Sequence, residues 1–359
     1  MPNWLEATSA EALALLLSYG ILGIVSFYWL SLAFLAGRRS SSAAAPPRQK
    51  QINSLPPVSI LIPAHNAEQT IGQLLEGLRQ QTYPAPFEIV LVLDRCGDST
   101  KHIVKRYEAA LPLRIIEIET ISPCWSPKKY ALWRASALAS YEWCVVADAD
   151  ILIDPNWLSQ LMSSADAQAL SVIGWAWLHD KGGIVSRLAA YEAALVQLEA
   201  VGRASWGFPY MSTGRGWAIR RAWLKAGLYA WREVVSGDDD LTLQLLPSRG
   251  VRVSGAASYS PAPLTFQAAF HRKWRHLQTA QYYPWRLRLS LALPYIMQTL
   301  VLLSAPILPW GVIFPPLSKA LALRWVKAQH PWRALWADWI LWGLQVLYPV
   351  GAYVRRSRW

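Results

Sequence analysis

Charge is scarce in this chain. Lys, Arg, Asp and Glu together make up 16% of its 359 residues, and only 23 residues are acidic; about a quarter charged is usual for a soluble domain. Cysteine is scarcer still. Cys96, Cys124 and Cys144 have no metal-like spacing, and Cys144 sits inside an apolar run, so they read as unremarkable thiols in a reducing compartment. The six histidines are scattered, with no HExxH among them. There is no GxGxxG after the first strand, no GxxxxGK followed by Ser or Thr, and no GxSxG. These gaps argue against zinc-peptidase, dinucleotide-binding, P-loop and nucleophile-elbow chemistry. Zinc-finger spacing, RNP-like segments and regular basic heptads are missing too, so nucleic acid is not an expected partner.

What is present points elsewhere. Hydrophobic residues reach 53% and tryptophans number 21; Trp gathers at membrane interfaces and in aromatic-lined grooves. The length suffices for one large or two modest domains. The net charge of +12 lies almost wholly in the last third, where fourteen Lys or Arg from Leu241 onward face one acidic residue, Asp338. A basic region beside apolar segments suits anionic lipid headgroups or phosphates.

Residues 10–36, AEALALLLSYGILGIVSFYWLSLAFLA, carry one charge and are followed by Gly37-Arg38-Arg39. Roughly 20 apolar residues cross a bilayer core, so a transmembrane anchor is expected here. Glu6 and Glu11 precede the run and the arginines follow it, which puts the N-terminus outside and the arginines in the cytoplasm. Residues 37–57 have a linker's composition. Near the other end, 271–288 form a basic interfacial segment. Residues 289–317 are long enough to span or re-enter, although Pro294, Pro306 and Pro309 should kink or divide them. Residues 318–335 then read as a loop or interfacial helix, and 336–354 as a second crossing. Lys319, Arg324, Lys327 and Arg333 between these two segments oppose a simple hairpin under the positive-inside tendency.

Between the apolar ends, 58–270 have the grain of an α/β domain. VSILIPAHN, FEIVLVLD and LRIIEIE read as strands, Glu68 to Gln81 and Lys128 to Ala139 as helices. Near-continuous apolar strands separated by helices mark a parallel sheet covered on both faces, with ligands at the carboxyl ends of its strands. Asn66, Asp94 and Asp148 all fall just past such ends. In WCVVADAD, period-two alternation puts Asp148 and Asp150 on one side of the chain. Two such carboxylates suit magnesium or manganese held jointly with phosphate oxygens; a solvated Asp-rich turn is the bland alternative. Asp154, before Pro155, reads as a helix cap.

Taken in order, PAHN, the Asp94 strand end, SPKKYALW, DAD and SGDDDLTLQLLPSRG resemble the family 2 glycosyltransferases of the GT-A fold, over roughly Val58 to Trp274. The membrane-anchored N-terminus, the Pro-Lys motif and the C-terminal apolar segments are similar to those of ceramide glucosyltransferase-like lipid glycosyltransferases. The resemblance implies a GT-A nucleotide-diphospho-sugar transferase fold with transmembrane or interfacial helices at both ends. It implies donor contacts from the strand end Pro63, Ala64 and Asn66, with Glu68 after it where the usual Asn-Glu pair is Asn66-Ala67. It also implies uracil recognition at Asp94, a nucleotide lysine at Lys128, and a metal with its diphosphate at Asp148 and Asp150. The catalytic base falls on Asp239, eleven residues before Gly250, with Asp238 as the other registration; these acids also suit capping of the helix that follows. Trp133 replaces a common asparagine. Gly207 to Arg221 resembles the segment that closes over sugar and acceptor. Lys273-Trp274 matches the end of the Q/R-x-x-R-W segment, whose first position falls on Phe270. His65 is the one histidine ranked as site lining, with a satisfied turn histidine as the equal alternative.

The function these readings imply is inverting transfer of a hexose, glucose first, from a UDP-sugar to a hydroxyl of a membrane lipid or other hydrophobic acceptor. The expected location is a bacterial-type cytoplasmic membrane or its equivalent, with the catalytic domain cytoplasmic and a homo-oligomer allowed. A processive polysaccharide synthase, a non-catalytic membrane-anchored nucleotide-binding protein and a membrane nucleotidyltransferase are the alternatives. The last would need a Gly-rich basic loop after the first strand, which PAHNAEQT lacks.

Overall fold

A computed structural model describes residues 9–44 and 55–352. The chain divides into two compact units, one formed by Leu35–Tyr282 and the other by Met1–Phe34 with Tyr283–Trp359.

The first unit is built on one eight-stranded sheet. Strands β1 (Val58–Ala64), β2 (Phe87–Asp94), β3 (Leu113–Ile118), β4 (Trp143–Val146), β5 (Leu152–Ile153), β6 (Ser171–His179), β7 (Trp217–Arg220) and β8 (Val251–Pro261) lie in the order β3-β2-β1-β4-β7-β6-β8-β5. The first four in that order are parallel. The apolar runs of β1, β2 and β4 are buried on both faces, as continuous hydrophobic strands require. The helix after β1, α2 (Ile71–Arg79), shows how the cover is made. Ile71, Leu74, Leu75 and Leu78 recur at helical spacing, are all fully buried, and press on the sheet core. Each such side chain contributes about 1.5–3 kcal/mol of burial.

The site depends on one reversal. Strand β7 runs antiparallel to both β4 and β6, pairing Val146 with Trp217. The residues just before β7 are therefore delivered to the point where β4 stops. Strand β8 runs parallel to β6, and its last residues reach the same end of the sheet.

Helix α1 (Ser9–Ala44) continues past Arg38-Arg39, so the first part of the expected linker is helical. The reason is compositional: Ser-Ser-Ser-Ala-Ala carries no proline or glycine to stop a helix already nucleated. The rest of that linker lies mostly outside the described residues, as do the arginines after Val354. In the second unit, the 289–317 run is divided as its prolines suggest. One helix (Trp285–Leu303) absorbs Pro294, and a 3-10 turn (Pro309–Ile313) and a short helix (Phe314–Trp325) follow it. The last helix is Ala334–Ala352. Two helical segments, Ala12–Arg39 and Trp285–Leu303, are long and apolar enough to cross a membrane. Both present exposed apolar side chains, among them Leu17, Ile24 and Phe27 on one and Leu289, Leu293 and Ile296 on the other.

Lys319, read from sequence as a loop cation, is buried. Its Nζ meets Asp338 Oδ1 at 2.7 Å and Gln298 Oε1 at 2.7 Å, Gln298 Nε2 donates to Asp338 Oδ2 at 2.8 Å, and the ammonium lies 5.2 Å from the Trp29 ring centre. Spacing along the chain hides this contact, because Gln298, Lys319 and Asp338 come from three different helices.

Candidate active site

Where β4 ends, Ala147 N–H still donates to Leu61 O of β1, and the chain then turns through Asp148-Ala149-Asp150. Asp148 N–H donates to Gly214 O at 2.8 Å, because the reversed β7 brings the Gly214-Arg215-Gly216 turn alongside. A side chain at Gly214 would push the Asp148 carboxylate aside, because a Cβ there would lie 2.7 Å from Asp148 Oδ1. Gly214 N–H in turn donates to Asp239 Oδ2 at 2.9 Å. Lys128, on the first turn of α4 (Pro127–Leu138), joins the remaining acid. Its Nζ lies 2.8 Å from Asp148 Oδ1 and 3.0 Å from Asp238 Oδ2. Asp148, Asp238, Asp239 and Lys128 thus form one group, with Asp150 two residues from Asp148 and 3.4 Å from the Ser260 hydroxyl.

The electrostatics sort these acids. Burial works against charge on Asp148, yet the Lys128 ammonium beside it holds the carboxyl below its ordinary range. Burial, and after it the Asp148 carboxylate, push Asp150 up. Burial and the adjacent Asp238 push Asp239 up to about 6. Lys128 is held well above its ordinary value, burial being outweighed by Asp148, Asp238 and Asp239. Asp239 also accepts from Asp240 N–H and so caps the short helix Asp240–Leu243; the capping role and the site position coincide in one residue.

A cationic wall faces these acids. Arg215 is nearly buried, and its guanidinium feels Asp148, Asp150 and Asp239. Helix α9 (Phe266–Ala280) supplies Arg272, pushed down to about 9 by burial and by neighbouring Arg215, and Arg275, whose charge helps lower Asp148. Lys273, the residue that matches the motif arginine, turns away and pairs with Glu192 on the long helix Gly183–Ser205.

The β1 and β2 ends form a second group. Asp94 is buried, with both carboxylate oxygens bonded to the Arg95 guanidinium at 2.9 and 3.2 Å. His65 Nδ1 meets Asp94 O at 2.6 Å. Asn66 Oδ1 accepts from Gly97 N–H and Glu68 Oε2 from Ser99 N–H, so both side chains tie the β1 turn to the β2 turn. Asn66 and Arg95 each adopt positive φ, 47° and 46°, which makes both strand ends tight. Pro63 and Ala64 are strand residues, paired with Val92 and Leu93. Asp154 is no helix cap: its Oδ1 accepts from Asn156 N–H in a local turn, and the helix after it begins at Trp157. The Trp133 ring packs with those of Trp125 and Tyr130.

The sequence marks Gly207 to Arg221 only as a segment and does not single out Gly214 or Arg215 within it, because only the antiparallel reversal at β7 places them. A Gly-x-Gly before a short strand was the available signal. Among the described residues, no group of three or more His, Cys, Asp or Glu makes a self-contained metal cage. Asp148 and Asp150 still suit a hard cation that takes its other ligands from substrate phosphate. The raised Asp150 carboxyl, whose hydrogen bond from the Ser260 hydroxyl is long at 3.4 Å, is what a cation would relieve.

The family model for glycosyl transferase family 21 matches residues 19–351, nearly the whole chain. The chain belongs to glycosyl transferase family 21. This family 21 chain is 31% identical over 117 residues to the poly(ribitol-phosphate) beta-N-acetylglucosaminyltransferase TarS of Staphylococcus aureus, covering 32% of this chain and 20% of that one. It is 26% identical over 246 residues to the probable glycosyltransferase YdaM of Bacillus subtilis, covering 66% of this chain and 58% of that one. The chain thus spans a fifth to somewhat over half of the curated relatives it matches. In fold it is similar to the mannosyltransferase PcManGT of Pyrobaculum calidifontis, solved with GDP-Man and Mn2+, at TM-score 0.50 and 20% identity over 94% of this chain and 95% of that one. The GT-A fold and the glycosyltransferase reading of the sequence are both borne out.

Proposed function

We propose that this family 21 transferase moves one hexose from a UDP-sugar, glucose first among candidates, to a hydroxyl of a membrane lipid, with inversion at the anomeric carbon. The observation that carries the reading is the meeting of Asp148, Asp238 and Asp239 around Lys128 at the open end of the sheet.

Asp148 and Asp150 would hold Mg2+ or Mn2+ together with the donor's diphosphate. Bound there, the ion offsets the negative charge that grows as the diphosphate leaves. The protein's own cations share that task. Lys128 is the nucleotide lysine, and Arg215, Arg272 and Arg275 supply positive potential on the side facing the acids. Asp94 and the Pro63-Ala64-Asn66 strand end are assigned to the nucleoside, with Glu68 bracing the adjoining turn. Arg95 would release the Asp94 carboxylate when the base enters.

Asp239 is assigned as the base. Its two oxygens are fixed by the N–H groups of Gly214 and Asp240, so the carboxylate is aimed before substrate arrives. A value near 6 suits a base working near neutrality. Asp238 is engaged with Lys128 instead, which favours Asp239 over the other registration. Asp239 takes the proton of the acceptor hydroxyl as its oxygen attacks the face of the sugar opposite the leaving group.

The lipid acceptor is inferred from the two membrane-length helices, their exposed apolar side chains and the basic C-terminal third; we assign the active face to the cytoplasmic side because Arg38-Arg39 follow the first helix. The test supplies purified enzyme with labelled UDP-Glc, UDP-GlcNAc or GDP-Man and a total lipid extract, then sizes the product. A chloroform-soluble product carrying one added hexose agrees with the reading. A water-soluble, glycosidase-sensitive polymer made without lipid favours the processive synthase and overturns it.

A further inference from the structure

Lys129, beside the nucleotide lysine, is 1% exposed and touches no carboxylate. Its Nζ donates to three backbone carbonyls at once: Trp231 O at 2.9 Å, Val234 O at 2.7 Å and Ser236 O at 2.8 Å. The same helix start takes two more. Ser126 N–H donates to Arg232 O at 2.6 Å and Ser126 Oγ to Val235 O at 3.0 Å. Five carbonyls of the 231–236 loop are therefore gathered by residues at the start of α4. Two residues further along come Asp238 and Asp239, after Gly237, which holds φ +79° and whose hydrogen faces Thr279 so closely that a Cβ would lie 2.5 Å from Thr279 Cγ2.

An ammonium is one of few groups able to satisfy three converging carbonyls, since it carries three donors in a compact tetrahedron. The two lysines then divide the work. Lys128 contacts the acids Asp148 and Asp238 and is free to exchange them for substrate oxygens. Lys129 contacts only backbone, so its grip does not change when Lys128 lets go.

We propose that Lys129 is a positioning residue that holds the 231–236 loop, and through it the Asp239 carboxylate, in register with the donor site while Lys128 changes partners. The proposal rests on the reading of Asp239 as the base. It assigns Lys129 no contact with donor, acceptor or reacting atoms.

The test measures kcat, donor KM and UDP affinity for Lys129→Met, Asp239→Asn and the double variant, with thermal unfolding of each. Expected are a tenfold or larger fall in kcat for Lys129→Met and a donor KM and UDP affinity within about threefold of wild type. The double variant should lose no more than Asp239→Asn alone, because a misaligned base is worth no more than an absent one. A wild-type kcat, a loss confined to KM, or losses that multiply in the double variant would each overturn the proposal. If Lys129→Met does not fold, Lys129→Arg decides. Its planar fork keeps the charge but does not converge on three carbonyls, so a threefold or larger kcat loss at unchanged UDP affinity supports positioning, and wild-type turnover refutes it. Asp239→Asn with near-normal turnover would bring down the reading of the base itself, whereas a severe Asp239→Asn beside a mild Lys129→Met brings down only the proposal for Lys129.

Discussion

Each of the two units contains a lysine–aspartate contact, and the contacts differ in openness and in crowding. In the sheet unit, Lys128 is 37% exposed and its ammonium is shared among several acids, Asp148, Asp238 and Asp239, with Asp150 close by and Arg215, Arg272 and Arg275 opposite. In the helical unit, Lys319 is 2% exposed and meets one aspartate and one amide that also bond each other. A closed, balanced group has satisfied its charges and has nothing left to offer a ligand. An open one with carboxyls crowded together keeps groups such as Asp150 and Asp239 raised, and binding a cation or a substrate is how that crowding is relieved. Residue type alone does not separate the two cases; surroundings do.

The largest effect expected from breaking the open group is at the acids proposed to hold the metal. Asp150→Asn should cut turnover by about 10²–10³-fold or more, the scale of losing a preorganised electrostatic group at developing charge. Metal-stripped enzyme in excess EDTA should be silent and recover on adding Mg2+ or Mn2+. Full turnover in EDTA would remove the metal role from Asp148 and Asp150.

Asp239→Asn comes next. Turnover should drop by about a hundredfold or more, with UDP affinity kept within a few fold, as loss of a general base requires. A mild Asp239→Asn beside a severe Asp238→Asn would exchange the two assignments.

How much of this contrast was legible in the sequence follows from what each signal depends on. The strands and α2 were legible because burial periodicity is local: Ile71, Leu74, Leu75 and Leu78 announce a buried stripe without knowledge of the partner sheet. The ends of β1, β2 and β4 were legible for the same reason, since polar residues follow apolar runs there. Arg215 was not, because its place depends on β7 reversing direction. Lys129 was not, because backbone carbonyls have no sequence signature. Lys319 looked like a loop cation because hydropathy averages over neighbours and cannot see Gln298 and Asp338 across helices.

The closed group gives a stability prediction in place of an activity one. Lys319→Met or Asp338→Leu alone removes one member of this buried pair, a change that costs about 3–5 kcal/mol. The double replacement should recover most of that loss, because no charge is left unpaired. Thermal unfolding in detergent, read with the residual activity, checks both steps. Equal damage from the single and double variants would mean that the pair has a use beyond packing.

The smallest effect expected is on the pH profile, and it separates two acids within the open group. Asp239 is raised to about 6 by burial and by Asp238, and as the proposed base it must be deprotonated to accept the acceptor's proton. Turnover at saturating donor and metal should therefore be level above that value and fall as pH drops through it, approaching about tenfold per unit on the acid side. Asp150 is raised as well, by burial and by Asp148, and its protonation weakens metal binding in the same direction. The two are told apart by titrating metal at each pH. A fall that excess Mg2+ reverses belongs to Asp150, and one that persists at saturation belongs to Asp239. Asp238→Asn sharpens the assignment. It removes one of the two causes that raise Asp239 and leaves burial in place, so the persistent limb should move to lower pH without vanishing. In Asp239→Asn the residual rate should show no such limb, and a limb of unchanged position there would place the titrating base on another residue.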